Sequence, residues 1–416
     1  MPQHILVVTS TFPASDADPI PAFVRDQIVA LKRAYPHLLF SVLAPHHAYG
    51  NVEVLKELVG VNEQYHEYRF HYFWPFRFEQ LTWRGIIPTL KQKPVYHVLI
   101  PFLIVAEFFA LLKLTRRLKP DIIYAHWFTP QGITAGLVSE ITRTPFVYTS
   151  HSSDVAIMHK IPVFGPSIVR RFSKKAQAIT VVSRRSLEKL QNFFTDQQWD
   201  EIRKKVAIIP MGVAVNIVTE LTKVSRINQQ NILFIGRLVE KKGVHYLLPA
   251  FAAIREKYPR ITLTIAGDGP WLTRLQNQAK ELNILNDGVI FAGYVSGDAK
   301  AKVIADADIF VVPSIITEDG DAEGLPVALM EGLAAGKICI ATNESGAEEI
   351  LEGEVNGFLV PQKSADALTV ALDKCLQLTS ETRSIMRDNA LKIASQFAWT
   401  EIAKLYYQAL FEQQAS

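Results

Sequence analysis

The strongest constraint on the fold is an alternation of short, β-branched apolar runs with amphipathic stretches at helical spacing. Continuous apolar strands joined by helices indicate parallel sheets buried on both faces, hence doubly wound α/β domains. A helical pattern runs from Val244 to Ile254, although Pro249 weakens the helix prediction there. The predicted strands are 5–8, 38–43, 122–125, 146–149, 179–182, 206–209, 232–235, 261–265, 289–291, 309–312 and 338–341.

The length of 416 residues predicts two or three domains. Two sets of strands predict two Rossmann-like domains, over residues 1–212 and 213–395, with a polar linker at 213–230. The final segment, 396–416, contains a predicted helix from about 397 to 412, which we expect to pack back toward the N-terminal domain. Ligands of open α/β sheets bind beyond the carboxyl ends of the strands, so we expect the site in a cleft between the two domains.

The net charge of +3 hides an asymmetry between the two halves. Residues 1–212 contain 25 Lys and Arg against 16 Asp and Glu, a net charge of +9, whereas the remainder carries −6. A basic first half predicts an anionic partner: nucleic acid, a membrane surface or a phosphorylated substrate. Nucleic acid is the weakest of these, because no helix-turn-helix, zinc or RNP pattern accompanies the charge.

Cysteine usage and the N-terminus bear on the compartment. Cys339 and Cys375 lie among apolar neighbours, with neither disulfide-framework nor metal-ligand spacing. The N-terminus lacks a basic region followed by an apolar region and a small-residue cleavage site. Together these features predict a cytoplasmic location.

The most apolar stretch, 95–114, is long enough to span a bilayer if it is helical throughout. His97, Pro101 and Glu107 interrupt it, and strand 122–125 needs a covering helix, so we do not expect it to span. Two alternatives remain. The stretch is either a buried covering helix with a solvated basic end, or a peripheral contact with anionic lipid at the inner face of the cell membrane.

Two glycine-rich turns follow predicted strands in the second half. The segment 236–243 (GRLVEKKG) places Lys241 and Lys242 beside a helix N-terminus, an arrangement that favours phosphate. A solvated loop with both lysines in water explains this segment equally well. The segment 267–270 (GDGP) allows close backbone approach, and Pro270 suits the first position of a helix.

The segment 313–336 combines an acidic loop, a turn at Gly324 and a helix that begins near Pro326. Glu323 precedes that helix and Glu331 lies within it, eight residues further on. An anionic leaving group fits the helix N–H groups while the two carboxylates accept hydroxyl hydrogen bonds. The paired acid and base of a hydrolase is an alternative, as is a surface carboxylate beside a capping one.

Together these segments resemble the retaining glycosyltransferases of the GT-B fold, specifically glycosyltransferase family 4. The resemblance rests on segments 236–243, 266–270 and 307–314 (ADIFVVPS), on the Glu323 and Glu331 pair, and on 124–132 and 148–154 in the first half. It implies two Rossmann-like domains that face an interdomain cleft. It also implies a nucleotide-diphosphate sugar as donor, with UDP and GDP the first candidates, a glycan or lipid-linked acceptor of bacterial surface polysaccharide or glycolipid synthesis, and no cofactor or metal.

The resemblance further implies roles for individual residues. Arg237 and Lys242 would bind the donor diphosphate, Glu331 the ribose hydroxyls, and Glu323 the transferring sugar. The residues expected to act in catalysis are His126, Arg237, Lys242 and Glu323. The other donor-side residues are Gly236, Gly267, Gly269, Tyr294, Val295, Gly324, Leu325 and Pro326, with Tyr294 and Val295 near the base. The acceptor-side residues are Ser10, Phe12, His151 and Asp154.

Three Asp-x-Asp triplets raise the alternative of a divalent metal at the diphosphate. They begin at Asp16, Asp306 and Asp319. We expect no metal, because the second triplet leads into a buried strand and because the family uses cations and a helix dipole instead. Asp319 and Asp321 stay candidates for acceptor contacts.

Other functional classes share this architecture. A GT-B protein that is not a transferase, either a sugar-nucleotide epimerase or a phosphorylase, is the main alternative. A binding protein with a disabled site is disfavoured, because the cationic and acidic residues of both motifs are present.

Overall fold

The computed structural model describes residues 3–13, 22–47, 60–61, 65–82, 85–161, 163–214, 231–318, 320–343 and 345–412. Most of the predicted linker, from residue 215 to residue 230, lies outside these ranges. The chain divides into two compact units. The first comprises Met1–Met211 with Ile402–Ser416, and the second comprises Gly212–Glu401.

The first unit is built on an eight-stranded sheet. Its strands β1 to β8 are His4–Val8, Leu39–Pro45, Gly60–Val61, His66–Phe70, Ile122–His126, Phe146–Ser150, Ala178–Val181 and Val206–Ile208. Their order is β3-β4-β2-β1-β5-β6-β7-β8, and all neighbours are parallel except the edge pair β3 and β4. The six predicted strands of this half are confirmed, whereas β3 and β4 were not predicted.

Helices cover the first sheet. They are α1 Phe23–Ala34, α2 Ile86–Gln92, α3 Ile100–Leu118, α4 Ile133–Thr142, α5 Ser153–Ala156, α6 Phe164–Lys175, α7 Arg184–Gln191 and α8 Asp196–Arg203. The apolar stretch 95–114 is not one continuous helix: a 3-10 turn at Pro94–Leu99 precedes α3, where Pro101 occupies the first turn. Leu103, Leu111 and Leu114 of α3 belong to the core of this unit, so α3 is a covering helix.

The second unit has a six-stranded parallel sheet. Strands β9 to β14 are Asn231–Ile235, Thr262–Ala266, Val289–Gly293, Ile309–Val312, Ile338–Thr342 and Phe358–Val360. Their order is β11-β10-β9-β12-β13-β14, and the order therefore reverses between β9 and β12. The five predicted strands are confirmed, and the short edge strand β14 was not predicted.

The remaining helices are α9 Val244–Lys257, α10 Leu272–Glu281, α11 Gly297–Ala305, α12 Val327–Ala334, α13 Ala365–Gln377, α14 Ser380–Ser395 and α15 Trp399–Phe411. The helix at 244–254 forms despite Pro249. Pro249 has no N–H for the carbonyl of His245, and the side chain of Gln278 donates to that oxygen instead at 2.8 Å. From α15, Tyr406 is fully buried in the first unit and donates to the carbonyl of Ile209 at 3.2 Å.

Both cysteines are free and buried in the second unit. Burial raises the pKa of each thiol, so neither is a reactive thiolate at neutral pH.

Candidate active site

Two loops meet where the strand order of the second sheet reverses. The loop after β9 contains Lys241 and Gly243, and the loop after β12 begins at Pro313. Ile315 donates its backbone N–H to the carbonyl of Lys241 at 2.8 Å. Gly243 has φ +65°, and a side chain there would run into the carbonyl of Pro313. The two loops are therefore packed backbone to backbone at the point where open α/β sheets bind ligands.

A cluster of two lysines and two carboxylates joins these loops. Nζ of Lys242 lies 3.1 Å from Glu323, and Nζ of Lys241 lies 3.1 Å from Asp321 and 3.5 Å from Glu323. Only 15% of the Lys242 side chain and 16% of the Glu323 side chain are exposed. The alternative in which both lysines face water is therefore wrong, because each ammonium group is paired within the unit.

Glu323 is ionised throughout the physiological range. Burial alone would raise its pKa, but the ammonium groups of Lys242 and Lys241 lower the pKa to about 2. A carboxyl group with such a pKa does not hold a proton at neutral pH. The hydrolase alternative needs one carboxyl group as a general acid, and Glu323 is unsuited to that role.

The ion cluster makes stability depend on pH. The folded-state pKa of Glu323 lies below its ordinary value of 4.5, so its ionisation stabilises the fold above that value and ceases to do so toward pH 2. We expect the free energy of unfolding of the wild type to exceed that of Glu323→Gln at neutral pH, with the difference shrinking from about pH 5 to about pH 3. Urea titrations across this range measure it, with the exposed Glu354→Gln as control. A difference that does not change with pH would contradict the assignment.

Helix α12 begins directly after the acidic loop. Pro326 is its N-cap residue, and no side chain caps the helix. Glu331 lies in the second turn, and its Oε1 accepts a hydrogen bond from Nζ of Lys300 on α11 at 2.6 Å. Glu323 and Glu331 therefore precede and follow the helix start, and each is paired with its own lysine. Sequence reasoning missed Lys300, because no motif marks a lysine in the helix after β11.

The glycines of this unit permit close packing of its loops. A side chain at Gly267 would meet the carbonyl of Gly236, and one at Gly269 would meet that of Leu238. Gly346, at φ +83°, packs in the same way on the carbonyl of Gly324, beside Glu323. The loop after β13 therefore packs directly against the acidic loop.

The remaining donor-side residues lie on loops at the same edge of the sheet. Tyr294 directly follows β11 with 51% of its surface exposed, and Val295 packs partly on the core. Arg237, the second residue after β9, is exposed, and Leu325 is half-buried. The roles of these four residues at the donor stay predictions.

Pro270 does not occupy the first helical position, so that prediction is wrong. Helix α10 begins at Leu272, with Trp271 as its N-cap residue. Before the helix begins, the turn is hydrogen-bonded to the loop after β9. The backbone N–H of Trp271 donates to the carbonyl of Leu238 at 3.0 Å, and the backbone N–H of Leu238 donates to the carbonyl of Asp268 at 2.9 Å. These bonds delay the helix by two residues.

Among the described members of the Asp-x-Asp triplets, Asp321 belongs to the lysine cluster and Asp308 does not. Asp308 precedes β12 and accepts the backbone N–H of Asn231 at 2.9 Å, so it lies at the amino edge of the sheet, opposite the cluster. Asp321 is paired with Lys241. The triplet members Asp16, Asp18 and Asp319 lie outside the described residues.

In the first unit, two histidines lie at the carboxyl ends of neighbouring strands. His126 ends β5, next to the reversal of strand order between β1 and β5, and His151 follows β6. Their rings are 5.8 Å apart, and Trp127 packs on His151 at 4.9 Å. His126 is fully buried, and neither of its ring nitrogens has a hydrogen-bond partner.

Both imidazoles are neutral. Burial lowers the pKa of His126 well below its usual value, and lowers that of His151 to about 3. A buried imidazole without a partner is costly unless a ligand supplies one. His126 is therefore suited to a hydrogen bond with a bound hydroxyl group.

Asp154 fastens the two histidine loops together. Its carboxylate accepts the backbone N–H of Phe128 at 2.6 Å, the backbone N–H of His151 at 2.9 Å and the hydroxyl of Ser150 at 3.1 Å. The structure therefore shows a positioning contact for Asp154. Ser10 and Phe12 are both buried beyond β1, and the ring of Phe12 packs edge-on against Tyr65.

A cluster of metal-ligand side chains lies elsewhere in the first unit. His46 and His71 follow β2 and β4, and each Nδ1 bonds Oε2 of the buried Glu79, at 2.6 and 2.8 Å. Oε1 of Glu79 accepts the backbone N–H groups of Tyr72 and Phe73. All four bonds hold the loop that follows β4 against β2.

Comparison with known proteins agrees with this architecture. The family model described as glycosyl transferases group 1 matches residues 219–393, and that of glycosyltransferase family 4 matches residues 56–216. A protein of Escherichia coli named for colanic acid biosynthesis, WcaL, is 29% identical over 282 residues, 67% of each chain. A protein of Bacillus subtilis named for teichuronic acid biosynthesis, TuaC, is 26% identical over 89% of this chain and 88% of its own.

Among solved structures, HepE of Anabaena in complex with UDP superimposes with a TM-score of 0.70 over 98% of both chains, at 19% identity. The two doubly wound units, the lysine–carboxylate cluster at the strand reversal and these matches define the class. The chain belongs to the glycosyltransferases of the GT-B fold. This confirms the predicted family and fold, and it disfavours the epimerase, phosphorylase and binding-protein alternatives.

Proposed function

We propose that the second unit binds a nucleotide-diphosphate sugar at the loops after β9 and β12, and that the enzyme transfers a hexose from it with retention of anomeric configuration. The observation that carries this proposal is the paired Lys242 and Glu323 beside the uncapped start of α12. An uncapped helix start presents backbone N–H groups to an anion, and the lysines add positive charge next to it. The negatively charged diphosphate of the donor is suited to this group of N–H donors and ammonium groups.

The charges match the demands of sugar–phosphate cleavage. The bond breaks with positive charge developing on the anomeric carbon and negative charge on the departing diphosphate. Lys242, Arg237 and the helix start stabilise that negative charge. The acceptor hydroxyl attacks from the face of the leaving group, and its proton passes to a diphosphate oxygen. Glu323, held as a carboxylate, accepts a hydroxyl hydrogen bond from the sugar.

For the ribose we propose that its hydroxyls bind the carboxylate of Glu331. This carboxylate already accepts a bond from Lys300, yet 23% of the Glu331 side chain is exposed. A carboxylate accepts several hydrogen bonds, so the ribose hydroxyls add to Lys300 or displace it. Tyr294 and Val295 then lie on the side where the base binds.

For the acceptor we propose a glycan or lipid-linked glycan of a bacterial surface polysaccharide or glycolipid. Two relatives are named for colanic acid and for teichuronic acid biosynthesis, which supports this class. The net charge of +9 on residues 1–212 favours an anionic acceptor. His126 and His151 supply neutral hydrogen-bonding groups for hydroxyls in the first unit.

The proposal is tested by incubating the protein with UDP-, GDP- and ADP-sugars and following slow donor hydrolysis by NMR. We expect one donor class to be hydrolysed, and the first sugar released to keep the anomeric configuration of the donor. The same nucleotide should raise the thermal midpoint. Absence of hydrolysis and of stabilisation with every donor would contradict the proposal, and inversion would contradict the retaining mechanism.

Donor cleavage should not depend on a divalent metal. Lysines take the place of a metal beside the diphosphate, and Asp308 is engaged at the opposite edge of the sheet. After exhaustive treatment with EDTA, we expect the rate of donor hydrolysis to stay within about twofold of the untreated enzyme. A loss of activity that Mg²⁺ or Mn²⁺ restores would overturn this prediction.

A further inference from the structure

We propose that the first unit docks on the surface of an anionic lipid bilayer through a docking face made of one side of α3 and the loop after β4. The docking face consists of Trp74, Phe76, Phe78, Val95, Val98, Phe102, Val105 and Phe109, bordered by Lys113 and Arg116. Each of these side chains is exposed. The inference goes beyond the proposed function, because it does not depend on the donor or on the chemistry of transfer.

Helix α3 and the turn before it have an outer apolar stripe. Val98, Phe102, Val105 and Phe109 are spaced by four, three and four residues, which places them on one side. Their surfaces are 60, 49, 55 and 62% exposed. The opposite side, with Leu103, is packed into the core. The stretch therefore carries two apolar sides, and the fold covers one of them.

The same segment does not cross the bilayer. A helical stretch of 25 residues, Pro94–Leu118, has the length and apolar composition to span a membrane. However, Glu107 is fully buried on its inner side and accepts bonds from Gln131 at 2.8 Å and Thr134 at 2.6 Å. Spanning would break these bonds and remove α3 from the sheet, so the outer side is suited to lie on a membrane.

The loop after β4 extends the apolar surface. Trp74, Phe76 and Phe78 are 77, 47 and 40% exposed. Phe73 contacts Phe102 of α3, with ring centroids 5.2 Å apart, so loop and helix form one surface. The loop is held in place by the buried Glu79, which makes the exposure of these rings a fixed feature of the fold. Exposed tryptophan on a fixed loop is typical of membrane interfaces.

Charge specifies the occupant as anionic lipid. Between residues 71 and 119 the chain has eight Lys and Arg but two acidic residues, Glu79 and Glu107. Both acidic side chains are fully buried, so the exposed charged side chains that the structure describes on the docking face are all positive. Lys113 and Arg116 continue the stripe of α3 four and seven residues beyond Phe109. Cations beside an apolar stripe match an anionic bilayer surface, with the rings in the interface.

The test is flotation of the full chain with vesicles of phosphatidylcholine, alone or with about 30% phosphatidylglycerol, at low and high salt. We expect binding to the anionic vesicles that weakens with salt. The apolar variant Trp74→Ser/Phe102→Ser/Phe109→Ser should lower the partition coefficient on the order of a hundredfold. Lys113→Gln/Arg116→Gln should lower it about fivefold for each charge, the equivalent of about 1 kcal/mol.

The control is Val370→Ser/Ile385→Ser, which removes two apolar side chains that are 58 and 56% exposed on the second unit. It should bind as the wild type does. No binding to anionic vesicles at low salt, or an apolar variant that binds as the wild type, would overturn the proposal. So would a stable dimer in vesicle-free sedimentation that the apolar variant converts to monomer, because a second copy would then cover the face. Donor hydrolysis without vesicles reports separately on the proposed function, and should be unchanged in every variant.

Discussion

Replacing Lys242 with alanine is expected to lower kcat/KM for sugar transfer by about a hundredfold to a thousandfold, or about 3–4 kcal/mol of transition-state stabilisation. Lys242 lies in the glycine-rich loop after β9 and pairs with Glu323, with 15% of its side chain exposed. In such a site, an ammonium group is poorly screened by water and acts strongly on a developing negative charge. The effect should be larger on kcat than on the affinity for free nucleotide, because charge builds up on the leaving diphosphate.

Steady-state kinetics of transfer, or of donor hydrolysis, measure this effect. The matched control is Lys257→Ala, which removes an exposed lysine that pairs with Asp373 on the same unit. We expect kcat/KM of this control to stay within about twofold of the wild type. If Lys242→Ala kept a near-normal kcat/KM, the diphosphate of the donor would not bind beside Lys242.

Replacing Glu323 with alanine is the second large effect, and we expect a loss of about a hundredfold or more in kcat/KM. The change removes the proposed hydrogen bond to the sugar. It also leaves Lys241 and Lys242 without the carboxylate that lies 3.5 and 3.1 Å from them. Glu323→Gln keeps the size but not the charge, so it should retain more stability than alanine while losing most of the activity.

Measuring kcat together with the thermal midpoint distinguishes a loss of catalysis from a loss of folded protein. Glu354→Ala is the control, because Glu354 pairs with Lys374 at the surface with 64% of its side chain exposed. If Glu323→Ala transfers sugar normally at a temperature where it is folded, Glu323 does not contact the reacting sugar.

The strands of both sheets could be predicted because most are continuous apolar runs, as buried parallel strands require. Strand β4 escaped prediction because its sequence, HEYRF, alternates charged with aromatic residues at the margin of a sheet. Strand β14 is three residues long, too short for a periodic signal. The helix predicted at 244–254 forms in spite of Pro249 because a side chain from a neighbouring helix, Gln278, satisfies the carbonyl that proline leaves unpaired.

The site could be predicted as far as its motifs reach. The glycine-rich loop and the Glu-x7-Glu pair pointed to the two loops that the structure brings together. Which lysine pairs with which carboxylate depends on how those loops fold, so the bonds of Lys241 to Asp321 and of Lys300 to Glu331 could not be predicted. The exposure of Trp74 and Phe102 likewise depends on the tertiary packing around them.

A crystal structure of the protein with the nucleotide that stabilises it most tests the central claim directly. We predict diphosphate oxygens within hydrogen-bond distance of Nζ of Lys242, and ribose hydroxyls bonded to the carboxylate of Glu331. The base should lie toward Tyr294. A nucleotide bound away from the loops after β9 and β12 would contradict the account.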